Sequence, residues 1–292
     1  MRIGVLDVGS NTTRLLVASV ERGEVVPLRK EKVRLSLGEE IERYGVVSDV
    51  HIAAAAKAVR KLSASARKQG IESLDVFVTA PGRQSANAQK LVAALTRAAG
   101  VQVRVLATEE EGRLAYGGAV ATAPMELPST IAVCDVGGAS TEIAVGSPGD
   151  VPGWVCSVDL GSVRLTTRID SDRFGDDELG DARAETGAAF AAIDPPKVQA
   201  ALAVGGSARA ARRLVGPKLG ADELAEALRL VRANPPRTIT RRFGVDRARA
   251  HILPAGLVIL AEVQSRLGVP LHVCDGGIRE GAVLAWVAQA AA

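Results

Sequence analysis

The sequence predicts an α/β protein built in two halves, and three observations carry that expectation. Its 292 residues exceed one ordinary core and suit two domains of roughly 150 residues each. Short apolar runs alternate with longer segments at helical spacing, the pattern of sheets covered by helices. One stretch also occurs twice. Residues 2–18 and 130–145 both pass from an apolar strand through Asp-Val-Gly and small polar residues into a second apolar strand, without a gap. Glycine reverses a chain at little steric cost, so each copy reads as a tight hairpin opening one half. Pro124 and Pro128 mark the boundary, giving domains 1–124 and 125–292, with the last helix free to pack back on the first domain.

In the first half, residues 53–68 are alanine-rich with basic residues at helical spacing, and Gly70 ends them. Residues 74–79 read as a strand, 85–99 as an amphipathic helix closed by Gly100, and 101–106 as a further strand. A helix then starts near Thr108 and runs to about Ala123. The second half repeats the alternation with a strand at 155–160, a helix at 177–193 and a strand at 202–204. Gly205-Gly206-Ser207 reads as a turn into a helix at 208–214. Helices follow at 224–231, 254–267 and 281–290, with a strand at 271–274. The basic stretch from Pro235 to Arg242 reads as a surface connection.

Composition excludes several classes of function. Hydrophobic residues make up 47% and charged residues 24%, so the chain is not disordered throughout. Only 3% is aromatic, too little for a base-stacking single-strand binder. A net charge of +3 lacks the clustered basic face of a duplex binder, so no DNA partner is expected. No apolar run reaches the ~18 residues of a bilayer span, and the N-terminus opens on a strand rather than a leader, so no membrane partner is expected. Cys134, Cys156 and Cys274 lack C-x-x-C spacing and read as buried free thiols, which points to the cytoplasm.

Chemistry concentrates where strands end in turns. Asp7 with Gly9, Ser10 and Asn11 joins a carboxylate suited to a hydrated cation to turn amides suited to phosphate oxygens. A lone copy reads more simply as a hairpin held by its own hydrogen bonds; the registered second copy reverses that. There, Asp135 and Glu142 bracket Gly137, Gly138, Ala139, Ser140 and Thr141. Asp7 and Asp135 on facing domains would repel unless a cation such as Mg²⁺ or Mn²⁺ offset them. Thr108 and Glu111 match a capping box, and from spacing alone the cap is the favoured reading over a general base. Arg83, between a strand and a helix, could grip a phosphate, although an ordinary surface arginine is the plainer reading. Gly205-Gly206-Ser207 is a weak phosphate-cradling pattern, and P-loop and H-E-x-x-H motifs are absent.

Taken in order, Asp7-Val8-Gly9-Ser10-Asn11, residues 79–87, Glu110-Glu111-Gly112-Arg113-Leu114, residues 135–142, Gly205-Gly206-Ser207 and residues 275–281 resemble one family. It is the exopolyphosphatase and guanosine-pentaphosphate phosphohydrolase (Ppx/GppA) family, and the series covers nearly the whole chain. The resemblance implies two ribonuclease-H-like domains of the actin, sugar-kinase and Hsp70 superfamily around an interdomain cleft. It implies Glu111 as the base that deprotonates water, overriding the cap reading, with Arg83 beside it. Asp135, Glu142 and Asp7 fall to the divalent cation. Ser10, Asn11, Arg83, Gly138, Ala139, Ser140, Gly206 and Ser207 fall on phosphate-binding loops, and Ser162 and Arg164 match more weakly. Two positions depart from the pattern: Ala139 stands where many relatives have a third glycine, and Gly112 where an alanine often follows the paired glutamates. Longer relatives add helical C-terminal domains, so a minimal form is expected, suited to shorter polyphosphates or to a homodimer.

The implied activity is Mg²⁺-dependent (or Mn²⁺-dependent) hydrolysis of the terminal phosphoanhydride of inorganic polyphosphate, releasing orthophosphate. Hydrolysis of guanosine pentaphosphate to the tetraphosphate is the neighbouring reading, since both substrates present the same terminal group. A sugar or acid kinase fits the paired glutamates less well. A non-catalytic polyphosphate or alarmone sensor would share the loops without needing Glu111, Asp135 and Glu142 together.

Overall fold

The computed structural model describes residues 1–170 and 174–291, and two mixed sheets organise them. The first is built from β1 (Arg2–Val8), β2 (Thr12–Glu21), β3 (Glu24–Arg34), β4 (Ser73–Val78) and β5 (Val103–Val105), in the order β3-β2-β1-β4-β5. Between β3 and β5 run α1 (Leu37–Tyr44), α2 (Asp49–Arg67), α3 (Ala80–Gln84) and α4 (Ala88–Ala99), and α5 (Thr108–Val120) follows β5. The second sheet begins with β6 (Ile131–Val136), β7 (Thr141–Gly146) and β8 (Trp154–Val158). After α6 (Ser162–Ile169) and α7 (Asp176–Phe190) comes β9 (Ala200–Val204), then α8 (Gly205–Val215) and the short β10 (Lys218–Leu219). Three helices, α9 (Ala221–Ala233), α10 (Pro236–Phe243) and α11 (Arg247–Leu267), precede β11 (Leu271–Val273) and the last helix, α12 (Ile278–Ala291).

The repeated sequence is a repeated topology. The second sheet has the order β10-β11-β9-β6-β7-β8, so β8-β7-β6-β9-β11 matches β3-β2-β1-β4-β5 strand for strand. Each copy forms the central hairpin, with Asp7 opposite Arg14 in one and Asp135 opposite Glu142 in the other. Each central strand also pairs in parallel with the next one, β1 with β4 and β6 with β9. These inner strands are apolar on both faces because helices cover both.

On one face of the first sheet, Ile52, Ala55, Val59 and Leu62 of α2, with Leu91 and Leu95 of α4, pack on Leu6, Val8, Leu15 and Val17. Ser48 caps α2 by accepting the His51 amide. The opposite face is covered by α12, through Ala282 and Val283 against Ile3, Val5, Leu16 and Phe77. The second sheet is covered by α5 on one face, through Ala115, Tyr116 and Ala119, and by α7, α8, α9 and α11 on the other. The last helix of each half thus lies on the sheet of the other half, and α5 crosses α12 on the way.

Four local expectations are corrected. Residues 236–243 form helix α10 rather than a surface connection, because Pro236 occupies the first turn, where no amide is needed. Helix α11 starts at Arg247, capped by the Asp246 carboxylate on the Ala248 amide, and carries Pro254 inside it rather than at its start. Gly205, Gly206 and Ser207 are the first turn of α8, with no separate turn before it. Cys134 and Cys274 are buried free thiols, but Cys156 is only half-buried.

Candidate active site

The two hairpin turns meet. A Cβ built on Gly138 would lie 3.2 Å from that of Ser10, so the second turn closes directly onto the first. Ser10 is buried, and its carbonyl accepts the Gly38 amide at 2.7 Å. In the other turn, Ser140 is buried and Ala139 only 5% exposed. Ala139 is therefore almost wholly buried within the second turn.

Four carboxylates gather behind these turns. Burial raises the pKa of Asp7 to about 6, with Arg14 and Arg279 opposing and Asp135 adding repulsion. Burial raises Asp135 as well, and pushes Glu142 up to about 7, with Asp135 its repelling neighbour. Hydroxyls of Ser140 and Ser157 donate to Glu142, the latter at 2.9 Å, and partly offset that cost. Glu111 is held well above the usual carboxylate range, by burial first and by Glu142 second.

Glu111 projects from the first turn of α5, where Ala107 is the N-cap and no side chain caps the helix. The capping box expected from Thr108 and Glu111 does not form: Thr108 bonds Glu109 instead, at 3.2 Å. Freed from that role, Glu111 takes the Arg83 Nη1 at 2.8 Å, while the same nitrogen reaches the Leu106 carbonyl at 2.7 Å. The other terminal nitrogen, Arg83 Nη2, is buried without a hydrogen-bond partner among the described residues. Gly112 explains its departure from alanine, since a Cβ there would lie 2.6 Å from a Val155 methyl and lift α5 off β8.

Beyond the turns opens a cavity of about 920 Å³ whose lining includes nine basic and three acidic residues. Four arginines from four elements reach it: Arg14 (β2), Arg209 (α8), Arg249 (α11) and Arg279 (α12). Among the described residues, none of the four makes an ion pair. Burial, then repulsion from Arg14 and Arg209, lowers Arg249 to about 9; burial, then Arg14, lowers Arg209 to about 10. Burial lowers Arg279 too. Sequence reasoning missed this quartet, because each member stands alone in its own element.

The remaining expected residues are placed as follows. Asn11 lines the cavity, and Gly206 lies under Arg249, where a Cβ would sit 2.3 Å from its Nη2. Ser207 is fully buried and faces Arg249 Nη1 at 3.4 Å rather than the cleft. Gly205, at φ +89, lets α8 start against Asp135: a Cβ there would be 2.4 Å from its Oδ1. The helix N-terminus beside it favours the ionised carboxylate. Ser162 bonds the Gly137 carbonyl at 3.0 Å, and Arg164 bonds Glu42.

Among the described residues, no three histidine, cysteine or carboxylate side chains converge on one ligating point. The donor set nevertheless fits a hard divalent cation. The buried carboxylates repel one another, and Mg²⁺ is commonly held by one or two carboxylates plus water and substrate phosphate. The shifts carry a sign that can be tested. Asp7 and Glu142 bind protons more tightly when folded than when unfolded, so their contribution to stability is full below about pH 4 and is lost as pH rises through about 7. His272, lowered by burial, works the other way as one group against several. Without divalent cations the melting temperature is therefore expected to fall by several degrees from pH 5 to pH 8, and added Mg²⁺ to restore part of the loss at pH 8. A melting temperature that climbs over that interval would contradict the charge crowding.

Comparison with known proteins gives the family and the fold. The family model described as the Ppx/GppA phosphatase family matches residues 16–290. An uncharacterized protein of Streptomyces coelicolor is 34% identical over 166 residues, 57% of this chain and 49% of that protein, so the matched region spans about half of that relative. Exopolyphosphatase 1 of Mycobacterium tuberculosis is 28% identical over 309 residues, 97% of this chain and 88% of that protein. The crystal structure of the Aquifex aeolicus Ppx/GppA family member superposes with a TM-score of 0.82 at 22% identity, covering 99% of this chain and 98% of that one. The fold is thus the two-sheet α/β architecture of that family.

Proposed function

Because the chain belongs to the Ppx/GppA phosphatase family, we propose that it hydrolyses the terminal phosphoanhydride of inorganic polyphosphate, releasing orthophosphate. The observation that carries this reading is the meeting of two clusters of like charge, four crowded carboxylates and, lining the adjoining cavity, four guanidinium groups without ion-pair partners among the described residues. A linear polyanion relieves the second cluster, and a divalent cation relieves the first. Asp135 and Glu142, with Asp7 beside them, suit one Mg²⁺ or Mn²⁺, which would neutralise charge on the terminal phosphoryl group.

The chain's own residues do the rest. Glu111, oriented by Arg83, accepts the proton of the attacking water; its raised pKa makes the ionised form a stronger base. The unpartnered Arg83 Nη2 is the donor left for a phosphoryl oxygen. Arg14, Arg209, Arg249 and Arg279 grip the phosphates behind it, and Lys30, Lys32 and Arg34 continue the basic track. Contact between the two turns keeps bulk water from the reacting group.

Among the described residues, no aromatic side chain lines the cavity, so a guanine base would have no ring there to stack on, which favours polyphosphate over guanosine pentaphosphate. Phosphate release from short polyphosphate, long polyphosphate and guanosine pentaphosphate, with and without Mg²⁺ or Mn²⁺, tests the reading. The polyphosphates are expected to be the faster substrates, with a rate that falls as salt rises. Faster release from the nucleotide would shift the assignment to the alarmone, and tight binding without turnover of any of the three would make the protein a sensor.

A further inference from the structure

From the contacts of α1 and α6 we propose that Glu42 and Arg164 are positioning residues whose ion pair sets the spacing between the two hairpin turns; the proposal rests on the cleft being the reaction site. Each turn is carried by one short helix. Helix α1 starts against the first turn: the Gly38 amide donates to the Ser10 carbonyl at 2.7 Å, and a Cβ on Gly38 would lie 2.7 Å from that of Ser10. Helix α6 starts against the second: the Val163 and Arg164 amides donate to the Gly138 carbonyl at 2.8 and 3.1 Å. Backbone meets backbone there as well, since a Cβ on Gly161 would fall 2.5 Å from the Gly138 carbonyl carbon.

The two helices are then tied to each other. One oxygen of Glu42 accepts Arg164 Nε at 2.7 Å, and the other accepts Arg168 Nε at 2.6 Å. Arg164 spends its remaining nitrogens on both sides of the cleft: Nη1 on the Asp159 carbonyl at 2.7 Å and on the Asp159 carboxylate at 2.5 Å, and Nη2 on Gln84 Oε1 at 2.8 Å. Gln84 follows Arg83, the residue that holds Glu111, so the same guanidinium braces the base. The Arg164 side chain is 7% exposed and that of Glu42 15%, which sets this pair apart from an exposed, salt-screened one. The pair across the other lip, Lys32 to Asp246 at 2.9 Å, is 63% and 54% exposed and holds little by comparison. Arg43 to Asp170, at 3.5 Å, also joins α1 to the end of α6, but that pair is exposed and screened. Releasing Glu42 would therefore remove the buried tie between α1 and α6 and let the two turns move apart.

Glu42→Ala tests this. A displacement of about 1 Å between reacting groups costs up to ~10²-fold, so kcat for phosphate release is expected to drop at least ~10-fold with KM little changed. In the substrate-free variant, the radius of gyration from X-ray scattering should rise, and the Gly38 and Val163 amides should exchange faster. Glu42→Asp, which keeps the charge, should recover part of kcat, and Glu185→Ala, which removes only Arg168's partner within the second half, should behave as wild type. Wild-type kcat in Glu42→Ala overturns the proposal, and so does a lost rate with unchanged scattering and exchange. If the wild type released no phosphate from polyphosphate, the function assigned above would fail, while scattering and exchange would still decide whether this pair spaces the turns.

Discussion

Glu111→Gln is expected to lower the rate of phosphate release by roughly 10³-fold while leaving polyphosphate affinity and the fold intact. The substitution is isosteric, and the amide oxygen can still accept the Arg83 Nη1 hydrogen bond, so the first turn of α5 keeps its place. What disappears is the proton acceptor. The four arginines proposed to grip the polyanion lie on β2, α8, α11 and α12 and do not touch residue 111, and Arg83, which does, keeps its bond to the amide oxygen, so binding should persist. Stability should not fall either: Glu111 is desolvated and repelled by Glu142, and a neutral side chain removes both costs. The variant is therefore expected to melt at the wild-type temperature or above at pH 8. Measuring phosphate release at saturating polyphosphate, alongside equilibrium binding and melting, separates the cases. A near-normal rate removes Glu111 from the chemistry; a lost rate with lost binding would mean that the carboxylate shapes the cleft instead.

The parts of this site that were legible in the sequence are those written in consecutive residues. The two hairpins announce themselves as a repeat because a strand, an Asp-Val-Gly turn and a strand occupy one uninterrupted window, and topology follows from that duplication. Glu111 illustrates the limit. Its spacing from Thr108 is that of a cap, and only the start of the helix one residue earlier, at an Ala107 N-cap, frees it to meet Arg83. The arginine quartet lies outside local reasoning altogether, since Arg14 and Arg279 come together only when α12 returns to the first sheet. One signal was available: Arg14 lies opposite Asp7 in a hairpin whose turn the sequence defines. Prolines misled in the second half. Pro254 breaks a helix when only local propensity is weighed, yet α11 buries residues along most of its length, and that packing outweighs the missing hydrogen bond.

The crossing of α5 and α12 makes Gly281→Val the substitution with the largest expected cost to stability. A Cβ on Gly281 would fall 1.9 Å from the Leu114 carbonyl oxygen, and one on Gly118 would fall 1.9 Å from the Gly277 oxygen. Both obstacles are backbone, so no rotamer change makes room and the helices themselves must part. Overpacking a core costs about 1–3 kcal/mol where side chains can shift. Here α5 is pinned to the second sheet and α12 to the first, so separating them also strips apolar contacts from both, and about 4 kcal/mol or more is expected. Urea unfolding measures it, and a loss below about 1 kcal/mol would show that the crossing is looser than drawn. Gly118→Ala with Gly281→Ala offers a sharper form of the test. Parting the helices once makes space at both positions, so the double variant should cost clearly less than its two singles combined. Since α5 carries Glu111 at its other end, the surviving fraction of each variant should also lose phosphate release in step with the displacement, tying the stability of the crossing to the placement of the base.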